Sequence, residues 1–566
     1  MAPGVGKRRR RSTNSIAAPE RLVTSLFAPG MSLLHRAGLG GLACTLKCIE
    51  REFATGRLRA KDVPGAPWKK GSPPWTIDSH TVTLDFGEPQ AAGEYLHRLF
   101  EFAFDLKDDL IYLPGQYMPA GAPGVEVRAS LQQGSTLTFL QHGRVRVLAK
   151  SATTHQYSHP DGDDKPPVTF EFRACTGYKH REAWAELVDK RGGLKLEPAE
   201  VIGPLSPGAV VRHNAFPGKT KIEEGPAHLV PLYFALVGCL ALPINRGSGV
   251  LLVPDVPDLL KFVALRPFLT PTTARECQIA SAGDAALQAQ VRLKAKAIAQ
   301  DWELPGCHAA TFQPTAWASQ QKSRVSTMLV PPGHEIQLEQ FEVAMKALEP
   351  RVVVRTTMEA EGRGRARKVT EKQESFWANS IVRPLVADNL AQGRPWYQGF
   401  VTLMTRIDPV SKKPLRDRLA FERKGLHTMT ETIAWNDRGE GTVVRAVHEA
   451  IARRYAQIAD ENQTNPVAMK KRWKGEYDRW RLAFAGAKTA NQFRTALCDL
   501  FSRGRANPVL QADWPALLPM LDERHWQLAR DLALLGLASY AGRGAKETAP
   551  PNADLANDTD STGEPQ

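Results

Sequence analysis

The chain has 566 residues, 42% of them hydrophobic, and a formal net charge of +14. That length supports roughly three or four domains of ~150 residues with real cores, and the basic balance favours polyanionic partners, nucleic acid or an anionic membrane. Seven scattered cysteines without a CxxC pair exclude a disulfide or zinc framework and suit a reducing cytoplasm.

From the N-terminus, Met1 to Glu20 reads as a disordered basic arm. Lys7 to Arg11 are consecutive cations, and no apolar signal core follows them. Gly38-Leu-Gly40-Gly41-Leu-Ala43 matches GxGxxA formally. A dinucleotide site needs an apolar strand before the glycines and an acid about 20 residues later. Here Pro29-Gly30 makes a turn, Ser32 caps a helix, and His35-Arg36 precede the motif. The small residues at 37, 38, 41 and 43 therefore suit close helix packing. Cys44 and Cys48 share that helix face and are expected to pack. Basic loops follow: Arg57 to Lys61, then Trp68-Lys69-Lys70-Gly71, where an aromatic beside cations can stack on or wedge against bases.

Thr81 to Phe86 alternates as a strand, and Glu94 to Phe104 has a helical pattern. Thr136 to Val147 reads as a hairpin with its turn near His142-Gly143. Gln132-Gln133-Gly134 is then a candidate base-reading turn, because amides read groove edges and glycine permits close approach. A strand at Val168–Ala174, a helix around Arg181–Lys190 and a basic loop from Arg212 to Lys221 come next. The apolar run Val230–Ile244, bracketed by Pro231 and Pro243, is too short to span a bilayer and reads as a buried helix or strand pair. Val250–Val253 and Arg351–Thr356 are strands. Gly362 to Lys368 alternates glycine and alanine with Arg363, Arg365, Arg367 and then Lys368, a cationic segment able to lie along a phosphate chain.

The last hundred residues before the tail are helical. Val444, Val447, Ile451, Tyr455 and Ile458 mark one helix; Trp473, Tyr477, Trp480 and Phe484 a second; Phe493, Leu497 and Phe501 a third; Leu528, Leu532 and Leu535 a fourth. The aromatic row belongs in the core. The polar faces carry Arg453, Arg454, Lys470, Lys471, Arg472, Lys474, Arg479, Arg481, Arg494, Arg503 and Arg505. As a group they suggest a face that tracks phosphates. The fold class is α+β: a basic arm (1–20), a mixed α+β region (21–356), a connecting region (357–441), a helical bundle (442–545) and a disordered tail (546–566).

No catalytic constellation stands out. His155, His159, Asp161, Asp163 and Asp164 are dense but sit among prolines without calcium-loop spacing. Cys307-His308 are adjacent, whereas a nucleophile and its base usually meet from distant positions. P-loop, HExxH and GxSxG motifs are lacking. A non-enzyme without metal or cofactor is expected; a generic nucleic-acid-binding assembly protein and a metal- or nucleotide-dependent enzyme are the alternatives.

Three segments carry a family resemblance: Leu26 to Ala43, Gly393-Arg-Pro-Trp-Tyr-Gln-Gly-Phe400, and Phe501 to Pro508 with Trp526 to Tyr540. They resemble the large subunits of type I CRISPR interference (Cascade) complexes, in the I-A/I-B-like branch. The stretch from about Ala54 to Arg351 gives no match. The resemblance implies a cytoplasmic subunit that reads a short motif flanking the target in double-stranded DNA, promotes unwinding and R-loop formation, and helps recruit a downstream helicase–nuclease or transposition factor. It implies guide RNA, the backbone and 5′-handle-binding subunits and a helical small subunit as partners. In some relatives the small subunit comes from an internal start; Met429, Met404 and Met358 are candidates here. Residue chemistry, not the resemblance, nominates Lys69, Lys70, Gln132, Gln133, Arg144, Arg146, Lys219 and Lys221 for duplex and flanking-motif contact. It likewise nominates Arg363, Arg365, Arg367, Lys368, Arg453, Arg454, Lys470, Lys471, Lys474, Arg481, Arg494, Arg503 and Arg505 for strand and heteroduplex backbone.

Overall fold

The computed structural model describes residues 18–542 except 66–67, 69–71, 118–120, 163, 208–221, 245–246, 316–321, 362–367 and 409–411. The basic arm and the tail lie outside the described residues.

Strand β1 (Arg21–Ser25) leads into α1 (Leu33–Ala54), capped by the Ser32 side chain. After β2 (Trp75–Ile77) and β3 (Thr81–Asp85), three strands pair in the order β1-β3-β2. Next come α2 (Ala92–Ala103), the short pair β4 (Asp105–Lys107) and β5 (Leu110–Tyr112), and α3 (Val125–Leu137). Then follow β6 (Arg146–Leu148), β7 (Thr153–Tyr157), β8 (Val168–Phe172), β9 (Cys175–Tyr178) and the single-turn α4 (Trp184–Leu187). The two-residue strands β10 (Ala199–Glu200) and β11 (Glu223–Glu224) pair antiparallel.

The apolar run resolves into a helix and a strand, α5 (Pro226–Gly238) and β12 (Leu240–Ile244), both largely buried. The GxGxxA stretch lies inside α1, and there Gly38 and Gly41 let α1 and α5 touch. A methyl on Gly38 would meet the Pro231 carbonyl, one on Gly41 the Phe234 carbonyl, and one on Gly238 the Ala37 carbonyl. The motif is thus a packing seam. Cys44 and Cys48 are buried on α1. β13 (Ser248–Pro254) and α6 (Leu259–Leu269) follow. The fully buried Arg266 of α6 donates to the Val237 and Cys239 carbonyls and to Thr270, closing the C-terminal end of α5. Burial brings its pKa down to about 10.

Beyond α7 (Ala282–Ala299), β14 (Cys307–Thr315) and β15 (Lys322–Val330) complete the antiparallel sheet β12-β13-β14-β15. Neighbouring strand residues face opposite sides, so Cys307 and His308 make no dyad; the Cys307 thiol is buried and pushed up to about 12. Helix α8 (Glu335–Ala347) precedes the long hairpin β16 (Arg351–Glu361) and β17 (Lys368–Ala378). This hairpin joins β8 and β7 in the order β16-β17-β8-β7, so strands about 200 residues apart share one sheet.

The remainder is helical: α9 (Arg383–Ala391), α10 (Val401–Thr405), α11 (Leu415–Leu419), α12 (Arg423–Thr432), α13 (Arg438–Glu461), α14 (Pro466–Gly486), α15 (Ala490–Gly504), α16 (Pro508–Leu517) and α17 (Trp526–Ser539). The architecture is α+β, with mixed layers first and helices last. All four helices expected at the C-terminal end are present. Two of the resembling segments meet here. Asp531 of α17 accepts from the amides of Gly399 and Val401 at 2.7 and 3.0 Å, and Gly399 has φ +81°, which only glycine adopts freely. Tyr397 donates to Glu440 at 2.9 Å, and Trp396 beside it is fully buried.

Two expectations need correction. Thr136–Val147 is not a hairpin: α3 runs to Leu137, a 3-10 turn covers Gly143–Val145, and β6 pairs with β9 instead. The stretch just before it is a helix whose buried face carries Val127, Leu131, Gln132 and Ser135, so the chain enters Thr136 already helical. Around Arg181–Lys190 only Trp184–Leu187 is α-helical, after a 3-10 turn at Lys179–Arg181.

Candidate nucleic-acid interface

Helix α14 starts at Asn465, whose side chain caps the Ala468 amide, with Pro466 in the first turn. Its aromatics turn inward. Trp480 and Phe484 are buried, and Trp473 stacks on Tyr455 with ring centroids 5.3 Å apart while donating to the Tyr455 carbonyl at 3.1 Å. Lys470, Lys471 and Lys474 flank that aromatic stripe within about one helical turn; all three are exposed, and none makes an ion pair among the described residues. Three unneutralised ammonium groups along about one turn present a linear cationic edge able to follow a phosphate backbone.

Most other nominated cations are held within the bundle. Arg454 donates to Glu476 at 2.7 Å with both side chains largely buried, and Arg503 bonds Asp499 at 3.0 Å and reaches the same glutamate. Arg453 pairs with Glu449, and buried Arg481 with Asp478. Arg494 caps the Leu521 carbonyl and pairs with Glu523. Arg472 bonds Glu461, and Arg479 bonds Asp499. These arginines tie α13, α14, α15 and the turn before α17 together. Arg505 remains exposed in a left-handed conformation (φ +60°) after α15.

In the N-terminal region, Gln132-Gln133-Gly134 sits on α3, not in a turn. Gln132 is buried; its carbonyl accepts from the Ile111 amide at 3.0 Å and its NH2 donates to the Arg173 carbonyl at 2.7 Å. Both ends of that amide are bonded to the protein's own backbone. Gly134 lies against the Ala241 backbone, where a Cβ would clash. Arg146 donates to the Thr136 and Leu140 carbonyls, and burial lowers its pKa. Arg144 and Gln133 are exposed. Trp68 is buried against Phe53 and Trp75, so it is a core residue and not a wedge. Lys69, Lys70, Lys219, Lys221, Arg363, Arg365 and Arg367 lie outside the described residues. Lys368 begins β17, its backbone in register with Glu361 of β16.

Gln133 borders a cleft of about 540 Å³ between α3 and the β7-β8-β17 face. The strands contribute half-buried Tyr157, Phe170, Phe172 and Trp377, and the Trp377 ring N–H donates to the Tyr157 hydroxyl. Exposed Arg173 and Glu171 and the carboxylate of Glu126 complete the rim. Aromatic walls accept a planar ring, and mixed charge favours a base edge over a phosphate. Sequence reasoning missed this cleft because its walls come from segments about 200 residues apart.

The acidic stretch at 155–164 is not a ligand cluster among the described residues: His159 is buried and accepts the Asp161 amide at 3.1 Å, and Asp163 lies outside them. No helix among the described residues is long and apolar enough to cross a membrane.

Comparison with known proteins adds two kinds of match. Residues 23–233 match the DevT N-terminal domain family and residues 431–563 the DevT C-terminal domain family. The chain is also 34% identical over 573 aligned residues to the CRISPR-associated protein Cas8a1/Csx13 of Myxococcus xanthus (strain DK1622), covering 98% of this chain and 94% of that protein.

Proposed function

The chain belongs to the Cas8a1/Csx13 family of CRISPR-associated proteins, and from that premise we propose that it is the non-catalytic large subunit of a guide-RNA surveillance complex. It reads a short motif flanking the target in duplex DNA, promotes strand separation, and presents the opened target to a helicase–nuclease or transposition factor. Base pairing with the guide supplies sequence specificity, so the protein needs shape, charge and few base contacts; the same division holds in another effector class.

The observation that carries this reading is the end-to-end match, which covers both the α+β region and the bundle. The Lys470/Lys471/Lys474 edge supports backbone tracking, and the aromatic cleft bordered by Gln133 supports capture of an unpaired base. Arg144, the basic stretches at Lys69–Lys70 and Lys219–Lys221 and the Arg363–Lys368 segment remain candidates for duplex and strand contact. The C-terminal family match begins at 431, two residues after Met429. That supports a helical small subunit translated from Met429; mass spectrometry of expressed protein would show a C-terminal fragment starting there, and its absence would count against an internal start.

The test is a permanganate footprint of a guide-matched duplex with the guide-RNA complex assembled with and without this chain. Strand opening next to the flanking motif should require the chain. Equal opening in its absence would remove it from the unwinding step.

A further inference from the structure

We propose that His427, Glu431 and His448 form a binding site for one divalent transition-metal ion of the zinc class, clamping α12 to α13. His427 and Glu431 are four residues apart on α12, so they project from one face one turn apart. His448 faces them from α13. One ligand atom from each of the three lies within 4.8 Å of the others, and the imidazole centroids are 5.9 Å apart. Two imidazoles and a carboxylate suit zinc, cobalt or nickel; calcium and magnesium prefer all-oxygen sets. Three protein ligands leave a fourth position for water, and Glu431 is exposed, which gives the ion a path from solvent.

Two further observations point to a ligand. His427 Nδ1 is buried and has no hydrogen-bond partner. A buried nitrogen without a partner costs stability, and a metal bond would satisfy it. His448 is oriented from behind. Its Nε2 lies 2.9 Å from Ser539 Oγ, while that hydroxyl donates to the Leu535 carbonyl at 2.8 Å. The hydroxyl proton is thereby committed, so Nε2 is the N–H donor and Nδ1 keeps the lone pair. Ligating histidines are usually set in this way by an outer hydrogen bond. Nothing in the sequence announces the site, because His448 is 21 residues from His427 and no HxxxH or CxxC spacing links them.

The experiment uses the full-length chain freed of any affinity tag, stripped with EDTA and titrated with Zn2+ by calorimetry; Co2+ absorption reports the coordination. One saturable site is expected, with a Zn2+-dependent rise in Tm. Glu431→Gln, on the surface and harmless to packing, should weaken Zn2+ at least tenfold, and His427→Ala should abolish the site. His155→Ala should leave it intact. Absence of saturable binding, or undiminished binding and Tm shift in Glu431→Gln, would overturn the proposal even if His427→Ala failed to fold.

Discussion

His180 illustrates how much a single buried side chain couples this fold to pH. The ring is fully buried among Phe104, Tyr178 and Tyr233, and neither nitrogen has a partner. Burial, with Lys179 adding to it, lowers its pKa from 6.5 to about 3. The unfolded chain therefore binds a proton that the folded one refuses. Stability is fully present above pH 6.5 and falls as pH drops from 6.5 toward 3. His180→Phe keeps the ring and removes both orphan nitrogens, so it should raise stability by about 1 kcal/mol or more at neutral pH. It should also flatten the loss between pH 6.5 and 4. Urea unfolding at pH 7.5 and 4.5 checks both. His448, lowered to about 4 by burial and then His427, acts with the same sign, so the acid slope shrinks without vanishing. None of this is visible in the sequence, where His180 sits between Lys179 and Arg181 and reads as surface.

At the scale of elements, what the sequence made legible was periodicity. The aromatic spacing in α14 and the apolar spacing in α13, α15 and α17 identified these helices, because one buried stripe leaves a 3.6-residue signature. The small residues at 37, 38 and 41 identified the α1 packing face, though not that α5 is its partner. Gly41→Leu should therefore force the two helices apart and prevent soluble expression or lower Tm by more than 10 °C; thermal melts decide. Polar pairing was not legible. Arg454 and Glu476 are 22 residues apart, and only the fold shows that the arginine belongs to a buried pair. The same holds for Arg383 of α9, which binds Asp284 of α7 through two 2.7 Å bonds with both side chains almost fully buried. Removing one partner strands a buried charge, so Arg383→Met should cost about 3–5 kcal/mol, measurable by denaturant unfolding. The mistaken hairpin at Thr136–Val147 has the same origin: β6 pairs with β9, a strand that local alternation does not announce.

For the whole molecule, the proposed nucleic-acid path follows the cations that internal ion pairs leave free among the described residues. Lys470, Lys471 and Lys474 are the exposed, unpaired row on α14. Their triple replacement by alanine should leave the fold unchanged, since all three are exposed and none makes an ion pair among the described residues. It should weaken DNA binding by the assembled complex about equally for all flanking sequences, and reduce the salt slope of log K by up to about 3. Gln133→Ala at the cleft should instead alter discrimination among flanking bases with the salt slope preserved. In the proposed function the bundle supplies backbone affinity and the α+β region local readout; within the helical part, Asp531 ties α17 to the Gly399 turn. The measurement that tests this most directly is a gel shift of guide-matched duplexes with randomised flanking bases, at fixed salt, using the guide-RNA complex with and without the chain. Tight binding and an enriched flanking motif that appear only with the chain are the predicted result. An unchanged shift without the chain, or equal retention of every flank when it is present, would contradict its role as the motif-reading large subunit.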